Sequence, residues 1–168
     1  MSNIKKIQKI KKQAREIIEA VLTPQTSISL GNVLVPRMKT RITLGYGVDA
    51  QGKQTIFKPL SKNYIELRKK FSSNLSKRTR PKKSNVTATG QMIDAMRAVP
   101  ASGKIVIEIS GRRSRELTGA VPSGDLANNA TIARFVEKGG RPFFAATNAE
   151  KQFLIREIKF MILKKLRF

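Results

Sequence analysis

Apolar residues follow two alternating rhythms along this chain. Ile7, Ile10, Ala14, Ile17 and Val21 recur at spacings of three and four with lysines and arginines between them, which predicts an amphipathic basic helix over residues 1–22. Pro24 stops that helix. The period then changes: Ile28 and Leu30, and later Ile42, Leu44, Tyr46 and Val48, alternate with polar or small residues, which reads as strands with one buried face. Asp49, Ala50, Gln51 and Gly52 supply a turn, after which residues 54–57 pair back as a short strand and complete a hairpin.

Tyr64, Leu67 and Phe71 return to helical spacing and predict a short helix that buries an aromatic edge. Residues 72–86 contain SKRTRPKKSN, which has no apolar period and holds Pro81, so a mobile basic loop is expected there. Residues 89–99, TGQMIDAMRAV, place Met92, Met96 and Val99 on one helical face beside Ile93, with Thr89 as N-cap and the methionines as core filler. Ile105, Ile107 and Ile109 alternate as a central strand. Residues 111–127 read as a long exposed loop in which Arg112, Arg113 and Arg115 crowd together.

Ile132, Phe135 and Val136 predict a short helix closed by Gly139 in the left-handed conformation. Arg141-Pro142 forces an extended turn, and Thr147 with Glu150 has capping-box spacing, so a last helix starts close to Asn148. Leu154, Ile158, Met161, Ile162 and Leu166 form its apolar face, and Phe143 and Phe144 anchor the incoming turn into the core. The pattern predicts one domain over residues 23–168 that mixes helices and strands, with long helices at both ends and the strands between them. The N-terminal helix docks either on its own domain or on a neighbouring subunit. The Pro24 break makes it an appendage, so Ile7, Ile10, Ile17 and Val21 are the expected subunit contact.

Composition narrows the chemistry. With 168 residues and 40% hydrophobic content the chain suits one domain with a real core. No run of about 18 apolar residues occurs and the first residues hold no apolar signal core, so a protein soluble and intracellular when made, with no membrane partner, is expected. Cysteine and histidine are both absent, which removes the usual nucleophile, the usual base near neutral pH and the soft metal ligands. No enzyme, metal, cofactor or small-molecule substrate is expected. Charge is the strongest signal, with 34 Lys and Arg against 11 Asp and Glu for a net +23. Such a field attracts phosphate polymers or acidic protein surfaces without any motif. Between Lys53 and Lys83 the only acid is Glu66, and Lys77, Arg78, Arg80, Lys82 and Lys83 join Arg112, Arg113 and Arg115 as candidate partner-binding residues.

Three blocks in this order, GKQTIFKPLSKNYIELRKK, TGQMIDAMRA and NNATIARFVEKGGRPFFAATNAEKQFLIREI, resemble the tail-completion and virion-morphogenesis proteins of tailed bacteriophages. The residues that carry the resemblance are Pro59 and Tyr64 in the first block, Thr89 and Gly90 in the second, and Gly139, Gly140, Arg141, Pro142, Phe143 and Phe144 in the third. Val136 stands where that family carries histidine, Phe144 and Met92 where it carries leucine, and the basic loop is heavier than the pattern requires.

The resemblance implies an α/β (α+β) fold, a small antiparallel sheet flanked by helices, and a non-enzymatic neck or tail-terminator ring subunit that joins the head connector to the tail. It implies a cyclic homo-oligomer, a hexamer or dodecamer, with portal or connector and tail-tube proteins as partners and transient contact with genomic DNA. The implied location is the virion neck or tail, with the host cytoplasm during assembly. From a different class, composition alone suggests a monomeric basic nucleic-acid-binding protein, although no aromatic RNA-binding strand or GxxG clamp is present.

Overall fold

The computed structural model describes residues 3–121 and 125–166, the side chains at 3, 165 and 166 excepted. Helix α1 (Asn3–Val21) leads into α2 (Pro24–Leu44), hairpin β1 (Tyr46–Val48) and β2 (Gln54–Ile56), and α3 (Lys62–Lys70). A one-turn α4 (Gln91–Asp94) precedes a second hairpin, β3 (Met96–Val99) and β4 (Val106–Ile109), followed by α5 (Asn129–Lys138) and α6 (Asn148–Leu166). The fold is α+β, with long helices at both ends. Its strands form two separate two-stranded antiparallel sheets rather than one.

The largest departure from the pattern reading is α2, since the residues read as strands from Ile28 to Leu44 are helical. Pro24, expected only as a stop, occupies the first turn of α2, where its missing N–H costs nothing, and Thr23 caps it by accepting from Thr26 N at 3.3 Å. The buried face of α2 runs Ser27, Leu30, Gly31, Leu34, Val35, Met38, Arg41 and Ile42, a helical period that a count of apolar residues alone breaks up. Gly31 is small for a reason: a Cβ there would stand 2.5 Å from the Ala98 Cβ of β3, so α2 lies directly on the second hairpin.

That hairpin pairs Met96 with Ile109 and Ala98 with Ile107. It replaces the helix expected over residues 89–99, of which only α4 forms. The helix start at Gly90 (φ 84) has no side-chain cap, so Thr89 is not its N-cap. Residues 106–109 therefore form an edge strand, not a central one, and Ile105 lies just before it. Met92, Ile93 and Met96 are nonetheless buried as expected, in one core with Leu34, Met38, Ile42, Phe57, Ile109, Ala133 and Phe143.

The first hairpin forms as expected, with Tyr46 opposite Ile56, and its turn is held by Asp49 Oδ1, which accepts from Gln51 N at 3.0 Å and Lys53 N at 2.8 Å. The capping box is also present: Glu150 N donates to Thr147 Oγ1 at 3.1 Å and Thr147 N donates to Glu150 Oε2 at 2.6 Å. Leu154, Ile158, Met161 and Ile162 form a half-buried stripe of α6, and the Leu166 side chain lies outside the described residues. Arg37 of α2 sits 4.0 Å over the Phe153 ring of α6.

Glu150 has a second role. Its other oxygen accepts from Arg41 Nε at 3.1 Å, and Arg41 also donates to the carbonyls of Tyr46 (3.3 Å), Phe143 (3.3 Å) and Ala145 (2.7 Å). Both side chains are more than nine-tenths buried. Removing one partner of such a pair leaves an uncompensated buried charge, so Arg41→Met should cost about 3–5 kcal/mol. Phe143→Ala, which empties a fully buried site, should cost a similar 3–5 kcal/mol or so. Chemical denaturation measures both, and a loss under about 1 kcal/mol for Arg41→Met would mean that the clasp does not organise the fold.

Candidate functional site

The segment joining α5 to α6 is bound from several sides. Helix α5 ends without a left-handed Gly139, whose φ is −72; Gly140, at φ 78, makes the turn instead. Arg141 then reaches back to the carbonyls of Lys58 (3.4 Å) and Pro59 (3.2 Å), and Val48 N donates to the Pro142 carbonyl at 2.9 Å. Glu137 Oε1 accepts from the backbone N–H groups of Phe143 (3.1 Å) and Phe144 (2.7 Å). Phe143 is fully buried, and Phe144 packs half-buried with its ring 6.2 Å from that of Phe143. These residues build the fold, and in doing so they bring the first and third sequence blocks together through Pro59 and Arg141.

The basic segment after α3 is organised by a basic residue of the first block whose burial the apolar pattern does not report. Arg68, in α3, is fully buried; it donates to the Lys83 carbonyl and to Thr79 Oγ1, each at 2.8 Å. Thr79 donates on to Asn85 Oδ1 at 2.8 Å, and Asn85 Nδ2 donates to the Thr43 carbonyl of α2 at 3.1 Å. The expected featureless loop is thus wrapped around a buried guanidinium. Burial pushes the Arg68 pKa down; the nearby Tyr64 opposes this and the like charge of Arg141 adds to it. In sequence Arg68 stands with Lys69 as one of the basic residues that follow Tyr64 in the first resembling block, and nothing local marks it rather than Lys69 as the buried one.

Helix α4 draws the two basic loops together. Arg78 pairs with Asp94, while Gln91 donates to the Arg115 carbonyl at 2.8 Å and accepts from Ser114 N at 2.7 Å. Lys77, Arg80, Lys82, Arg112 and Arg115 are exposed, Lys83 and Arg113 half-buried. Arg113 donates to the Arg115 carbonyl at 3.2 Å. Residues 122–124 of the second loop lie outside the described residues.

Between α3, residues 85–92, the loop at 113–118 and α5 lies a cleft of about 370 Å³. Leu67, Val86, Met92, Leu117, Ile132 and Val136 line it, with Tyr64, Arg113 and Arg141 at the polar positions. Thr89 and Gly90 also border it, so all three sequence blocks meet here. Glu116 is on the wall too, but its carboxylate is engaged by Thr118 Oγ1 and by the backbone N–H of Ala120 (3.1 Å) and Val121 (3.2 Å). The Thr118 bond leads in holding its pKa below the usual range. Among the described residues no three His, Cys, Asp or Glu gather as metal ligands, and no helix is long and apolar enough to cross a membrane.

Helix α1 presents the other notable surface. Ile4, Ile7, Ile10 and Ile17 are 67, 52, 58 and 42% exposed. Val21 departs from that row, being buried in the chain's own core with Leu22, so it is not available to a partner.

Arg68→Ala should leave the Lys83 carbonyl and Thr79 without their donor, at about 1–3 kcal/mol for each buried group unsatisfied. Hydrogen exchange should speed up selectively at residues 79–85, and Arg68→Lys should not restore it, because one ammonium does not reproduce the fork of donors. Unchanged exchange in that segment would refute its anchoring by Arg68. In comparisons with known proteins, no family model, no curated protein and no solved structure matches this chain.

Proposed function

We propose that this chain is a non-enzymatic structural subunit of a tailed-bacteriophage particle, acting in a closed homo-oligomeric ring, a hexamer or dodecamer, at the neck or head-proximal end of the tail. There it completes the tail and joins it to the head connector. The observation that carries this reading is the row of exposed isoleucines on α1. Isolated surface apolar residues need no explanation, but a continuous helical row at 42–67% exposure is the kind of patch that a neighbouring chain covers. The three-block resemblance supplies the identity of the assembly, and the meeting of those blocks around Arg141 supports treating them as one unit.

The exposed cations fit the same reading. Walls that attract a passing genome would retard it through many salt-dependent phosphate contacts. Lys77, Arg80 and Lys82 are therefore assigned to an acidic neighbouring protein, where charge complementarity speeds docking and selects partners.

The joint substitution Ile7→Ser, Ile10→Ser and Ile17→Ser tests the apolar row. Because all three are exposed, stability should change little, within about 0.5 kcal/mol at each site, while light scattering shows the oligomer lost. Deleting residues 1–22 is a poorer test, since it removes buried Val21 and Leu22. An oligomer that persists in the triple variant would refute the α1 contact. A chain that stays monomeric and binds duplex DNA with a steep salt dependence would restore the nucleic-acid reading.

Charge reversal tests the joining role. Changing Lys77, Arg80 and Lys82 to Glu, and sparing Arg78 for its pairing with Asp94, should leave the chain folded and stop head–tail joining in phage assembly. Infectious particles from this variant would overturn the assignment.

A further inference from the structure

We propose that the cleft beside Arg113 and Arg141 is a docking pocket for an acidic peptide segment of a partner protein, seating one apolar side chain between Leu67, Met92, Leu117 and Val136 with an adjacent carboxylate against the two guanidinium groups. The walls are apolar, and at about 370 Å³ the space is near the small end of ligand pockets, which run from roughly 300 to 1,000 Å³. That admits an anchoring side chain rather than a folded element.

The charge points to the class of ligand. Arg141 and Arg113 line the cleft, and Arg68 lies close enough behind to feel the Arg141 charge. Among the described residues none of the three forms an ion pair with a carboxylate. The Nε groups of Arg68 and Arg141 are buried without a hydrogen-bond partner. Glu116, the one acid on the wall, holds its own loop through Oε1, which accepts from Thr118 Oγ1 and from the backbone N–H groups of Ala120 and Val121. Arg113 feels the Glu116 carboxylate, but three cations against that one acid still favour an incoming anion, and the apolar walls favour one carried on a peptide over a phosphate backbone, which brings no aliphatic side chain. The inference rests on the assembly reading only for the source of that peptide.

The test uses the full chain and fluorescence anisotropy of a fluorescein-labelled Glu-Asp-Leu-Phe-Asp-Glu peptide. Saturable binding is expected, weakened about tenfold or more by Arg113→Glu. Tyr64→Ala, at another point of the lining, should act in the same direction and keeps the test valid should the loop variant misfold. Lys6→Glu on α1 carries the same charge change and should alter affinity by less than about twofold. A control peptide with Gly-Ser in place of Leu-Phe should bind about tenfold more weakly, reflecting the lost apolar anchor. Equal weakening by Arg113→Glu and Lys6→Glu, or equal binding of the two peptides, means attraction by net charge alone and overturns the pocket. Displacement of the peptide by a short DNA duplex that is itself sensitive to Arg113→Glu and not to Lys6→Glu also overturns it, in favour of a nucleic-acid site. A chain that forms the proposed oligomer but binds neither peptide overturns the pocket and leaves the assembly reading standing. Specific peptide binding by a chain that never oligomerises supports the pocket and sinks the assembly reading.

Discussion

The Arg41–Glu150 clasp is the interaction on which the remaining geometry depends. A hydrophobic core drives collapse without fixing direction, because apolar burial is roughly proportional to area and indifferent to orientation. A buried guanidinium is directional, since its donors leave in a fixed planar fork. In this chain that fork meets the carboxylate of α6, the start of β1 and the carbonyls after Pro142 at once. Glu150 in turn caps the helix it belongs to. One ion pair therefore fixes α2, the first hairpin, the α5–α6 connection and the start of α6 relative to one another. Its desolvation cost is offset only because every strand of the fork that the fold needs finds an acceptor.

Much of this was legible where the signal was local. The Thr147–Glu150 box, the Asp49–Gly52 turn and the apolar spacing of α6 each depend on residues within a few positions, and each formed as read. Phe143 also read correctly as a core anchor, because an Arg-Pro step before a capped helix leaves an aromatic little choice but to turn inward. The failures came where a tertiary partner decided. The buried face of α2 includes Ser27, Gly31 and Arg41, so its helical period is invisible to a count of apolar residues, and the leftovers happen to alternate. Helix α4 stops after one turn because Met96 and its successors find pairing partners in β4, which no local propensity reports. Gly139 and Gly140 were both available for the left-handed turn, and sequence could not choose between them.

The scarcity of acids shapes the surface as much as the abundance of bases. Most carboxylates are engaged. Glu150 pairs with a base inside the fold and Glu16, Glu66, Asp94 and Glu108 pair with bases at the surface, while Asp49 holds a turn, Glu116 holds its own loop, and Glu137 binds the Phe143–Phe144 backbone. Arg41 and Arg68 are likewise spent inside the fold. What remains outside is cationic with almost nothing to balance it, and self-repulsion of that kind weakens a compact state unless a partner relieves it. The same surplus that looks like a nucleic-acid signature is thus also what remains when a short supply of acids has been allotted to the fold.

Two surfaces left over by this allocation differ in the physics they offer. The α1 row is apolar and extended, suited to burying area against a flat neighbour, and such area gives affinity with little direction. The cleft is small and cationic, suited to selecting one chemical feature on another protein. They share no residue, one lying on α1 and the other on α3, residues 85–92, the loop at 113–118, α5 and Arg141, so occupation of one places no demand on the side chains of the other. Under the proposed function that separation lets like subunits be joined through one surface while the other discriminates an unlike partner.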